Sequence, residues 1–264
     1  MEKQPQIITS IPNVAEYILD KLCIFALGTD GGIGKSTAMN AISDYFDENG
    51  IPINRVDCDI EKTKKGSFSS FHKDVIKADI RDHLGADVLL DAVLESPSRI
   101  AIADLAANLE RHSLEWFEDM FEEANENGIR FLVVCVATNS SGSVEAIIRQ
   151  AARIQKRAKY LLFKNMREVP QNNDPNYFGY IENSPQGKAF LELAKPSVVL
   201  MEFRVSEIQN ELHNRGLTLY QALYNPGGKE LGPLLSKGSC RMRMQGYHRR
   251  LQEQLRQIKE ELAP

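Results

Sequence analysis

The chain's 264 residues carry a formal net charge of -4, with 42% hydrophobic and 26% charged residues, a balance ordinary for a folded water-soluble protein. The acidic balance excludes wholesale electrostatic attachment to nucleic acid and leaves room only for a local basic face. No apolar run approaches the roughly 18 residues that a membrane-crossing helix needs, which excludes an integral membrane protein built of helices. The length admits two small domains or one large α/β domain with a well-buried core. The opening residues MEKQPQIITSIPN show no basic-then-apolar signal pattern, so a cytoplasmic location is expected. Cys23, Cys58, Cys135 and Cys240 are widely spaced, with no C-x-x-C pair, and support neither disulfides nor zinc.

In chain order, an N-terminal arm over 1–20 leads into a nearly continuous apolar strand, Leu22–Leu27. The loop GTDGGIGKST, Gly28 to Thr37, follows at once, and a helical pattern over Lys35–Glu48 closes on Asn49-Gly50. Further strands are expected over Ile53–Val56, Ile100–Ala103, Phe131–Ala137, Tyr160–Phe163 and Val198–Phe203, with a helix over Leu114–Glu126 closed by Asn127-Gly128. Strands this apolar must be buried on both faces. The β-then-α rhythm therefore predicts an α/β fold, one domain over 21–236 with a mostly parallel twisted sheet and helices on both faces. Ligands of such sheets sit at the carboxyl ends of the strands. Pro170–Asn183, PQNNDPNYFGYIEN, reads as a polar, turn-rich loop, either functional or merely superficial. The C-terminal region over 237–264 contains Gly238–Leu262, which reads as one long basic amphipathic helix with Leu251, Leu255, Ile258 and Leu262 on a stripe. It packs on the domain or extends from it.

Gly31-Gly-Ile-Gly-Lys-Ser36 lies between an apolar strand and an amphipathic helix, the setting in which a glycine-rich loop cradles phosphate. Gly31, Gly32 and Gly34, with Ile33 among them, let backbone amides approach an anion, and the helix start adds partial positive charge. Lys35 would lie against the outer phosphates, the Ser36 hydroxyl would ligate magnesium, and Thr37 would sit near the innermost phosphate. A glycine-rich turn that only packs strand on helix is the alternative. After the second strand comes Asp57-Cys58-Asp59, where an acid near a terminal phosphate can hold an attacking water. Asp57 is the better candidate for the outer sphere of magnesium; two acids capping a turn is the other reading.

GTDGGIGKST resembles the deviant Walker A loop of the ParA and MinD superfamily of P-loop ATPases, usually Lys-Gly-Gly-x-Gly-Lys-Ser/Thr. Within it the chain is most similar to the plasmid conjugation and stability proteins TraL and StbB. The resemblance runs from the first strand to about Tyr224, on the strand spacing, the Asp-x-Asp and the closing segment GLTLYQALYN. It implies a single-domain P-loop NTPase fold that takes ATP and Mg2+, with Lys35 and Asp59 as the catalytic pair and Asp59 orienting the water. Arg99-Ile-Ala-Ile-Ala-Asp104 resembles a Walker B element, which makes Asp104 a magnesium ligand through a water. Asn165, ending YLLFKN, falls where related proteins put an asparagine on the adenine edge; an Asn that caps a strand end is the alternative. No Asn-Lys-x-Asp guanine reader stands at that place.

Two positions depart from the family pattern. Asp30 replaces the signature lysine that bridges a nucleotide-sandwiched dimer, and a carboxylate there repels phosphate, so an ATP-dependent homodimer cannot rest on that bridge. Thr29 replaces the first glycine. Lys237, Arg241, Arg243, Arg249, Arg250, Arg256 and Lys259 make the C-terminal helix basic, which suits DNA phosphate, an acidic partner or plain solvation. Lys62, Lys64 and Lys65 form a second basic cluster that either responds to the terminal phosphate or is a solvated loop. The reading that follows is a weak, partner-stimulated Mg-dependent ATPase, a switch in plasmid transfer or partition that works with a protein of that machinery. The alternatives are a nucleotide-binding module that does not hydrolyse and a small-molecule kinase.

Overall fold

The computed structural model describes residues 20–27, 31–58, 67–105, 109–167, 176–224 and 226–264. Its centre is a seven-stranded sheet in the order β3-β2-β4-β1-β5-β6-β7. The strands are β1 (Lys21–Leu27), β2 (Asn54–Asp57), β3 (Val75–Lys77), β4 (Ile100–Asp104), β5 (Ile129–Ala137), β6 (Lys159–Asn165) and β7 (Ser197–Met201). Every pair is parallel: Leu22 aligns with Ile100 on one side of β1 and with Arg130 on the other. The α/β class read from the sequence is the observed one.

Side-chain alternation explains the unbroken apolar runs. Leu22, Ile24 and Ala26 of β1 face one core, while Cys23, Phe25 and Leu27 face a second core on the opposite side. Core one is closed by α1 (Lys35–Glu48), α8 (Ser206–Arg215), α9 (Leu219–Tyr224) and α11 (Gly238–Gln257). Core two is closed by α3 (His83–Leu94), α4 (Glu110–Glu126), α5 (Ser141–Ile154) and α7 (Pro185–Ala194). Burying one such aliphatic side chain is worth about 1.5–3 kcal/mol, so a sheet covered on both faces is held chiefly by its middle strands.

Some boundaries differ from the sequence pattern. The three-residue β3 goes unread because two of its residues are exposed, so it leaves no apolar run. Strand β5 starts at Ile129 rather than Phe131, β7 stops at Met201 rather than Phe203, and α4 starts at Glu110 rather than Leu114. Within the expected Pro170–Asn183 loop, the short helix α6 (Gly179–Asn183) forms, while 170–175 lies outside the described residues. The expected single C-terminal helix stops at Gln257, and α12 (Lys259–Leu262) resumes after Ile258. All four cysteines are buried free thiols, and burial pushes Cys23, Cys58 and Cys135 above the ordinary range.

Helix α11 packs Cys240, Met244, Tyr247, Leu251 and Leu255 into core one. Part of its basic face serves the chain itself. Arg241 donates to the carbonyl of Leu223 at 3.2 Å, Arg250 meets Glu202 at 3.1 Å, and Arg256 meets Glu48 at 3.5 Å. Gln254 seals the outer strand: its Oε1 accepts from the Leu200 amide at 2.8 Å, and its Nε2 donates to the Leu200 carbonyl at 3.2 Å. No helix among the described residues is long and apolar enough to cross a membrane.

Candidate functional site

The chain leaves β1 toward β2 on one side of the sheet and later reaches β5 on the other, so the carboxyl end of β1 is the point where strand order reverses. Gly31–Gly34 lie there, directly before α1. Gly32 and Gly34 have φ of +78° and +103°, a region that side chains rarely enter. At Gly34 a Cβ would also stand 2.8 Å from Asn165 Nδ2, so this position tolerates nothing larger than hydrogen. Gly34 is the N-cap of α1; it offers no side-chain cap, and the first turn of α1 carries no acid. The opening amides of a helix have no acceptor within the helix, which makes this end a place for an anion.

The loop opens on a cavity of about 560 Å³. Gly31, Gly32, Gly34, Lys35, Ser36 and Thr37 line it from the loop side, Asp104 lines it from the end of β4, and Asn165 lines it from the end of β6. Lys35 is 8% exposed and Asp104 is 5% exposed. An ammonium and a carboxylate this enclosed are costly except where opposite charge or hydrogen bonds compensate them. Of the predicted residues, the structure thus brings Gly31, Gly32, Gly34, Lys35, Ser36, Thr37, Asp104 and Asn165 around one space. Ile33 instead packs its side chain on core one, and its carbonyl accepts from Asn165 Nδ2 at 2.8 Å.

Asp57 has a different setting. It aligns with Asp104 across the β2–β4 pair and is fully buried, yet it is not among the residues lining the cavity. Its Oδ2 accepts from the Ser69 amide at 3.0 Å and from Lys77 Nζ at 2.9 Å. This carboxylate ties β3 and the short helix α2 (Phe68–Phe71) to the sheet, a use that competes with the expected place beside a metal. Asp59, like Lys62, Lys64 and Lys65, lies outside the described residues, as do Gly28, Thr29 and Asp30.

Asn165 is also engaged. Besides donating to the Ile33 carbonyl, it accepts from the Arg167 amide at 3.0 Å through Oδ1. The amide expected on an adenine edge braces the loop from β6, two strands away from β1.

For a metal, the donors present are the Ser36 hydroxyl and the Asp104 carboxylate, both hard oxygens on the cavity wall. Among the described residues no group of three or more His, Cys, Asp or Glu side chains gathers to hold an ion. That donor set fits magnesium, which takes one or two protein oxygens and completes its shell with phosphate and water.

Sequence reasoning missed the far end of the cavity. Thr37, Asn40, Ala41 and Asp44 occupy one face of α1 and line the cavity along its length, opposite Leu212, Thr218, Tyr247 and Gln252. His72 stands behind Asn40: its Nε2–H donates to Asn40 Oδ1 at 2.9 Å, and Gln221 Nε2 lies 3.5 Å from Nδ1. Burial, with the charges of Arg55 and Lys229, lowers His72 to about 3 and keeps it neutral. Asp44 Oδ2 accepts from the Tyr220 amide at 3.0 Å. Burial raises this carboxyl to about 7 against the pull of its hydrogen bonds from Thr218 and Tyr220. Asn40 and Asp44, four apart among the apolar residues Met39, Ala41, Ile42, Tyr45 and Phe46, were the available signal.

No family model and no curated protein matches the chain. Among solved structures, the MinD cell division protein of Aquifex aeolicus aligns with a TM-score of 0.49 at 13% identity, over 88% of this chain and 97% of that one. The MinC:MinD cell division protein complex of the same organism gives a TM-score of 0.49 at 13% identity, over 88% and 96% of the two chains. Chloroplast FtsY from Physcomitrella patens gives 0.39 at 11% identity, over 55% of this chain and 50% of that one.

Proposed function

We propose that the protein is a magnesium-dependent ATP-binding switch of the ParA and MinD type that hydrolyses its nucleotide slowly. The observation that carries this reading is the glycine loop at the strand-order reversal, opening with Lys35, Ser36 and Asp104 on one cavity. The loop amides and the Lys35 ammonium hold the outer phosphates, and Ser36 with Asp104 holds magnesium. Magnesium held by Ser36 and Asp104 would supply charge neutralisation to the phosphates. Asp59 orients the water that attacks the terminal phosphorus, and the released phosphate leaves ADP. Ser67, just before α2, lines the same cavity. The role in plasmid transfer or partition, with a protein partner of that machinery, rests on the resemblance of the loop and of GLTLYQALYN.

Calorimetry with ATP tests the reading. Lys35→Ala abolishes measurable binding, and unchanged affinity in that variant refutes the proposal. Asp59→Ala retains binding and releases phosphate at least about tenfold more slowly, the usual lower range for a removed base or water-positioning group. Tight binding by the natural chain without any phosphate release, with or without partner, instead makes it a module that binds and does not hydrolyse.

A further inference from the structure

We infer that Lys229 is a positioning residue for the bound nucleotide: its ammonium joins the carboxyl ends of α2 and α8, two elements that both contribute to the cavity wall. This inference rests on the nucleotide reading above and concerns a residue that does not itself line the cavity.

Ser67 and Phe71 reach the cavity from the two ends of α2, and Gln209, Leu212 and His213 reach it from α8. Phe71 and His213 meet edge to face, with ring centroids 5.5 Å apart at 64°. The backbones of the two elements also touch. A Cβ at Gly216, the C-cap of α8 at φ of +59°, would stand 2.3 Å from the carbonyl oxygen of Ser70, so this close approach requires glycine.

The last carbonyls of a helix lack partners within it and carry partial negative charge, so three of them brought to one point repel unless a cation stands among them. Lys229 supplies that cation. Its Nζ donates to the carbonyls of Ser70 at 3.1 Å, of Phe71 at 3.2 Å and of Gly216, which uses the three N–H donors an ammonium has. Burial, with the charge of Lys73, holds this ammonium below its ordinary value, as enclosure of a cation must. The turn that delivers it is tied in place: the Lys229 amide donates to the Pro226 carbonyl at 3.0 Å, and Arg215 Nη1 of α8 donates to the Glu230 carbonyl at 2.9 Å. Gln221 Nε2 adds a neutral bond to the Phe71 carbonyl at 3.1 Å, whereas the ammonium reaches both helix ends. Without it the three acceptors face one another and α2 separates from α8 in part of the population. A ligand then meets a complete wall in only a fraction of molecules, and its apparent affinity falls by that fraction.

The test is calorimetry on the full chain with ATP and with inorganic tripolyphosphate. Lys229→Ala lowers ATP affinity about tenfold or more, as when a tenth or less of the molecules hold the wall complete. Tripolyphosphate affinity stays unchanged, because the glycine loop and Lys35 lie elsewhere, and so reports an intact loop. Propylammonium, which contains the atoms deleted from the side chain, restores ATP affinity; tetramethylammonium, which carries the charge without an N–H, does not. ATP affinity that keeps its natural value, falls together with tripolyphosphate affinity, or is not restored by propylammonium overturns the assignment and leaves the nucleotide reading intact. The second and third of these results would mark a general loosening of the fold. If Lys229→Ala does not fold, Lys229→Met, which keeps the stem without the charge, decides by the same contrast between the two ligands. A natural chain that binds neither ATP nor tripolyphosphate overturns the nucleotide reading, and the assignment to Lys229 with it.

Discussion

The two ends of the cavity are built on opposite principles. At the start of α1 the recognising groups are backbone amides, exposed by glycine at positive φ and left uncapped by any side chain. Two turns further along the same helix the groups are side chains, Asn40 and Asp44 from α1, Thr218 from the turn before α9 and Gln252 from α11. The first end is set mainly by local backbone geometry, braced by Asn165 from β6. The second exists only when remote elements have docked.

Gly34→Ala gives the largest effect and strikes the backbone end alone. The new methyl meets Asn165 at 2.8 Å on a backbone with φ of +103°. A residue forced into such a conformation costs about 1–3 kcal/mol, visible as a lower denaturant midpoint, and ATP affinity falls with it. A variant with natural stability and affinity would show that the loop does not depend on this glycine.

The side-chain end is sharper when probed by pH. An unfolded imidazole binds its proton near 6.5, whereas His72 in the fold does so only near 3. The stabilising contribution of His72 is therefore complete above pH 6.5 and is lost progressively as pH falls toward 3. Denaturant midpoints of His72→Gln should decline less over that window than those of the natural chain. Equal slopes would place His72 in contact with water.

Asp44 gives the smallest effect and the opposite sign. Its carboxyl moves from 3.8 to about 7, so its contribution is complete below the lower value and is lost as pH rises through the upper one. Asp44→Asn should therefore gain on the natural protein between pH 4 and 8 in ligand-free melting curves. A difference that does not vary with pH would mean that the carboxylate is already solvated or paired.

The same contrast explains what the sequence disclosed. The loop was legible because its requirement is written in consecutive residues: glycines, then Lys35 and Ser36, between an apolar strand and a helix. The parallel sheet was legible because strands buried on both faces lose their alternation. Asp57 and Asp104 look alike in sequence, each an acid at a strand end, yet one serves Lys77 and Ser69 and the other faces the cavity. Nothing local separates them, since the difference comes from β3, a strand too short to leave a pattern. Asn165 was read as an amide for the adenine edge, with a strand-end cap as the alternative, and its observed partner Ile33 stands 132 residues away. Gln252 and Asp44 are likewise brought together only by packing of α11 against α1.

The seal that Gln254 places on Leu200 has a consequence for how this protein can associate. With the backbone of Leu200 on one rim taken by that amide and the other rim formed by a strand of three residues, both edges among the described residues are poor templates for a foreign strand. Assembly by sheet continuation is thereby disfavoured, which leaves the helical layers as the larger surface for association.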